Sequence, residues 1–162
     1  MKALAWTSLA LLGALLLQTV LSQVAPDHAR SLDPFLLVLV YCGLEGGEVH
    51  GMLAGAAAGW IQDVHFGGPV VGLSGFSKVL VGFGVGVAGG RFLLTGPGPR
   101  LLVLFTASLA DSVIFQQLAA VFDLRLGELS ALALVARAAT NALLGTALYE
   151  VLDQRLRHEP RP

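Results

Sequence analysis

The chain has 162 residues, of which 55% are hydrophobic and 13% charged, and its mean hydropathy is +0.74. A soluble domain carries about 25% charged residues, so the composition excludes a water-facing surface and points to an all-α integral membrane protein. The net charge of −1 leaves no basic field for nucleic acid, and the single cysteine, Cys42, excludes an intrachain disulfide.

The apolar runs leave no stretch for a second core, so residues 1–162 read as a single membrane domain. Six transmembrane helices are expected, at about 3–24, 34–45, 48–62, 70–91, 101–122 and 128–152, followed by a polar, frayed tail at 153–162. The first run, ALAWTSLALLGALLLQTVLSQV, is longer than the apolar core of a signal peptide, and the site before Pro26 is poor for cleavage. It reads as an uncleaved helix, with Ala10, Ala14, Gln18 and Ser22 as the face that packs on protein. PFLLVLVYCGL and Val49 to Gln62 are each short for a span of about 20 residues. Together they read as a tight helical hairpin with Glu45, Gly46, Gly47 and Glu48 at its tip, or else as one re-entrant unit. DVHFGGPVVG breaks the third and fourth helices at a membrane surface. Gly96, Pro97, Gly98 and Pro99 predict a loop before the fifth helix.

Orientation follows from Lys and Arg in short loops. Six spans place Lys2, Arg91, Arg100, Arg155, Arg157 and Arg161 on one side, against Arg30 and Arg125 on the other. That asymmetry predicts both termini on the cytoplasmic side.

Two glycine ladders occupy the centre of the chain: Gly51, Gly55 and Gly59, then Gly82, Gly86 and Gly90. A spacing of four puts each trio near one helical face, where a neighbouring backbone can approach closely. Each ladder is therefore a candidate helix-packing or partner face. A second candidate is a buried polar cluster of Lys78, Asp111, Arg137 and Asn141. A charge within the bilayer costs about 2.5–3.5 kcal/mol, so it faces protein and has a partner. Counted from the expected helix starts, the three charges lie roughly 12–17 Å deep, near mid-membrane. Asp111 is expected to pair with Arg137, Lys78 or both. The cluster reads as a structural ion pair, a ligand or partner patch, or a proton path.

No catalytic constellation is present. GFGVGVAGG lies inside an apolar helix, outside any βαβ context, and so is not a phosphate loop. His28, His50, His65 and His158 lack metal-ligand spacing. Asp63 and His65 have no nucleophile beside them, and Ser74 and Ser77 are expected to bond carbonyls of their own helix. No catalytic residue, cofactor site or metal site is expected.

In order along the chain, LLLQTVLSQV, DPFLLVLVYCGLEGG and GMLAGAAAGWIQDVHFGGPVVGLSGFSKVLVGFGVG resemble the bacterial rod-shape-determining MreD family. The resemblance covers nearly the whole chain. It implies a six-helix protein of the bacterial cytoplasmic (inner) membrane whose fold resembles the substrate-binding components of energy-coupling-factor transporters. It also implies a non-enzymatic scaffold of the cell-elongation machinery. The implied partners are an MreC-type single-span membrane protein, membrane lipid and, indirectly, the actin-like MreB and the synthases of lateral peptidoglycan. The alternative is a substrate-binding membrane subunit of a small-molecule (vitamin-type) transporter. Ala10 and Ala14 match the Ala-x-x-x-Ala docking face of such subunits, and Trp60, Gln62, Asp63, His65 and Phe66 are the only dense set for a ligand.

Overall fold

The computed structural model describes residues 2–25, 31–68, 70–91, 96–124 and 130–157. They form five helices and no strand: α1 (Lys2–Val24), α2 (Pro34–His65), α3 (Leu73–Arg91), α4 (Pro97–Val121) and α5 (Ala131–Arg157). Each is long and apolar enough to cross a membrane.

The expected second and third helices are the two arms of α2, divided at Gly47. Gly47 has φ 78° and ψ −170°, a backbone region that essentially only glycine enters. The chain reverses there. The Phe35 and Phe66 rings, at the far ends of the two arms, meet edge to face at 6.2 Å. A Cβ on Gly51 would stand 3.0 Å from the Gly43 Cα, so the arms are in backbone contact near the tip as well.

Three helix starts differ from the sequence expectation, each for a local reason. α3 starts at Leu73 rather than 70 because Gly72 turns at φ 100° and Asp63 caps the helix. Its Oδ2 accepts from the Gly72 N–H at 2.8 Å and the Ser74 N–H at 3.1 Å. α4 starts at Pro97, inside the expected loop, because proline suits a first helical turn, where no N–H is needed. α5 starts at Ala131, where Ser130 Oγ accepts from the Ala133 N–H. It continues to Arg157, so 153–157 are helical rather than frayed. The tail beyond, with His158, and the loop cations Arg30 and Arg125 lie outside the described residues, as does His28.

The glycine ladders face each other. A Cβ on Gly51 would collide with the Gly82 carbonyl oxygen, and one on Gly82 with that of Gly51. Gly55 lies against the Lys78 carbonyl, Gly59 against Gly75, and Gly86 against Glu48. The second arm of α2 and α3 are thus antiparallel helices in backbone contact from Gly75 to Gly86. Five of the six ladder glycines are closed inside the molecule, so those five are not a partner face. Gly90 is exposed with nothing near it. Each four-residue step turns a helix by 400°, a drift of about 40°, and after two steps Gly90 has left the contact.

The same drift corrects α1. Its buried residues are Leu11, Ala14 and Gln18, whereas Ala10 and Ser22 are exposed. Leu11 and Ala14 pack with Phe35 and Ala58, and Thr7 Oγ1 lies 2.8 Å from His50 Nε2. The remaining faces of α1 present Trp6, Leu9, Leu12, Leu16 and Val20 outward, as lipid requires. The main core joins Leu36, Leu39 and Val40 of α2 to Val81 and Val85 of α3, Leu104 and Ala107 of α4, and Ala142 of α5.

Candidate functional site

A network of charged and polar side chains crosses the interior at the Asp63 end of the bundle. Lys78 Nζ donates to Asp33 Oδ2 at 2.8 Å and to Asp111 Oδ2 at 3.0 Å. Ser77 Oγ donates to Asp111 Oδ1 at 2.8 Å and to the Asp111 carbonyl at 3.1 Å. Ser77 therefore bridges helices instead of bonding its own. Asn141 Oδ1 accepts from the Asp33 N–H, and its Nδ2 donates to Ser108 Oγ, both at 2.9 Å. Arg137 Nη2 reaches Asp33 Oδ2 at 3.4 Å.

The structure thus gathers Lys78, Asp111, Arg137 and Asn141 around a residue absent from the sequence reading, Asp33. The expected Asp111 partnership holds for Lys78, but Arg137 pairs with Asp33. Two cations face two carboxylates, so the network is neutral, as burial demands. Asp33 is the hub because it caps α2: its Oδ1 accepts from the Leu36 N–H at 3.0 Å. The positive end of the helix adds to Lys78 and Arg137 in holding the carboxylate charged. Two signals pointed to it. Asp-Pro is the signature of an N-cap followed by a first-turn proline, and two cations beside the single anion Asp111 left a charge unmatched.

The network runs from near the starts of α3 and α5 to the middle of α4. Lys78 lies roughly 8 Å from the start of α3 and Arg137 roughly 9 Å from the start of α5. Asp33 precedes its helix altogether. Lys78 and Arg137 stand closer to their helix starts than expected because α3 and α5 start three residues later than the periodicity implied, whereas Asp111 lies roughly 15 Å from the nearer end of α4. It also follows that the first arm of α2 begins below the level of its neighbours' ends. Non-helical backbone at such depth is tolerated only where protein satisfies it, and the Asn141 bond to the Asp33 N–H does so.

The Gly47 end carries a second polar cluster. Tyr149 donates to Glu45, the Arg100 guanidinium lies 4.0 Å over the Tyr149 ring, and Arg100 Nη1 pairs with Glu150 at 2.8 Å. Arg100, expected in a loop, is buried in the first turn of α4. Of the histidines, His50 contacts Thr7 and His65 contacts Phe66. Among the described residues no cluster of His, Cys, Asp or Glu could hold a metal ion.

These features define a multi-pass helical membrane protein whose buried charges are bonded to one another across helices. Residues 1–153 match the family described as rod shape-determining protein MreD. The chain belongs to the MreD family, a group of shape-determining membrane proteins. Searches of curated proteins and of solved structures returned no match.

Proposed function

We propose that this protein is a non-enzymatic scaffold of the cell-elongation machinery in the bacterial inner membrane. It binds an MreC-type single-span protein and helps organise lateral peptidoglycan synthesis, with MreB and the wall synthases engaged indirectly. The observation that carries the reading is the family match over residues 1–153. The chemistry of the interior agrees with it: the Lys78, Asp33 and Asp111 charges bond to each other. The comparisons give no support to a transport subunit.

Six crossings with both termini cytoplasmic fit the geometry. The second arm of α2 runs alongside α3 from Gly59 against Gly75 to Glu48 against Gly86, so it reaches as far as a helix of 19 residues that is long enough to span. The hairpin tip then lies with Arg91 and Arg100 on the cytoplasmic side.

The test is co-purification of MreC with the tagged protein from detergent-solubilised membranes of a rod-shaped host. MreC is expected in the eluate, and a deletion strain should round up and recover on complementation. A folded protein that restores rod shape yet never retains MreC would overturn the partnership.

A further inference from the structure

Four contacts of the network tie α2 and α3 to α4 and α5, and one of them differs from the rest. The Lys78–Asp111, Ser77–Asp111 and Asn141–Asp33 contacts measure 2.8–3.0 Å. They join groups whose side chains are almost wholly enclosed; Lys78 is 2% exposed. Arg137 stands apart on three counts. Its bond to Asp33 is 3.4 Å, its side chain is 24% exposed, and its enclosed Nε donates to nothing. Asp33 does not depend on it, because Oδ2 also accepts from Lys78 and Oδ1 from the Leu36 N–H. The arginine therefore lies at the rim, with Asp33, then Lys78, then Asp111 behind it.

We propose that Arg137 is a latch on this polar interior. Its guanidinium moves between a closed position on Asp33 and an open position in the polar zone beyond the helix ends. An arginine stem of ordinary length bridges most of the roughly 9 Å from its Cα level to the start of α5. In the open position water and small polar solutes reach the Asp33–Lys78–Asp111 chain. α2 and α3 do not separate, because they are held backbone to backbone through Gly51, Gly55, Gly59, Gly82 and Gly86.

The test uses the full-length protein purified in detergent, with Cys42→Ser to remove the native thiol and Ser108→Cys as reporter. Ser108 is 1% exposed and bonds Asn141, one turn along α5 from Arg137. A small cationic methanethiosulfonate is the probe. Arg137→Ala should speed modification of Ser108→Cys by about tenfold, since local opening governs access to a buried group, and Arg137→Lys should restore slow labelling. A reporter at Ala58→Cys, in the separate core between α1 and α2, should stay slow throughout. An unchanged rate at Ser108→Cys in Arg137→Ala overturns the latch. So does an equal rise at Ala58→Cys, which would mean general loosening.

Discussion

Asp33 concentrates more of the network than any other residue: it caps α2, takes two cations and is positioned by Asn141. Replacing it with alanine removes the cap and leaves Lys78 and Arg137 facing a single carboxylate. A loss of about 3–5 kcal/mol is expected, the usual result of breaking a buried pair. Asp33→Asn keeps a capping side chain and removes only the charge, so it separates the two contributions. Unfolding in detergent should rank wild type above Asn and Asn above Ala; equal stability of all three would remove Asp33 from the hub. The pairing itself is open to double-mutant cycles. Asp111→Ala with Lys78→Leu should couple strongly, and Asp111→Ala with Arg137→Leu, joined only through Lys78 and Asp33, should couple more weakly. A second cycle as strong as the first would mean that Arg137 reaches Asp111 directly. The sequence showed Lys78, Asp111, Arg137 and Asn141 because a polar residue inside an apolar run has no other use than to meet a partner. Asp33 was hidden by its neighbours, since it stands at the edge of a polar loop, where a carboxylate raises no question.

At the scale of helices, α2 and α3 depend on the absence of side chains at a few positions. Any Cβ on Gly82 strikes the Gly51 carbonyl, and helix backbones cannot yield as a flexible side chain can. Gly82→Ala should therefore cost about 3 kcal/mol or more, at the upper end of overpacking effects. Gly84→Ala, two residues away with open space around it, should be neutral or slightly stabilising, because alanine is the better helix former. Membrane yield and melting temperature of the two variants provide the comparison, and equal behaviour would refute the contact. Gly47 acts through conformation instead. At φ 78° and ψ −170°, Gly47→Ala should cost about 1–3 kcal/mol, although nothing lies within contact of a Cβ there. The sequence disclosed both ladders and the tip, because glycine repeated at helical spacing marks a close backbone approach and paired glycines between glutamates mark a reversal. It did not disclose that the ladders meet one another. Composition cannot separate a face that packs on its own chain from one that awaits another protein.

For the whole molecule, the two ends differ in their attachments. At the Asp63 end, α2–α3 and α4–α5 meet through Lys78, Asp33, Asp111, Arg137 and Asn141. At the Gly47 end they meet through Glu45, Tyr149 and the neighbouring Arg100. The six crossings proposed above would put these ends on opposite sides of the membrane. With Cys42 replaced by serine, a cysteine at Val71 should then be labelled by an impermeant reagent in intact cells, and one at Glu48 only after the membrane is permeabilised; both positions are exposed. Labelling of both from the outside would refute six crossings.

The short first arm of α2 has a consequence for how the protein is made. From Pro34 to the tip it covers only roughly 20 Å, less than the hydrocarbon core of about 30 Å. Its leading end carries Asp33, whose partner Lys78 is still 45 residues from being synthesised. When this arm leaves the ribosome, it cannot lie at its final depth with a charged carboxylate surrounded by lipid. The nascent α2 hairpin is therefore expected to wait shallowly, with Asp33 in the headgroup layer, and to sink when α3 arrives with its lysine. A cysteine at Asp33 in a chain truncated before α3 should then be labelled by a water-soluble reagent, and failure to label it would refute the order.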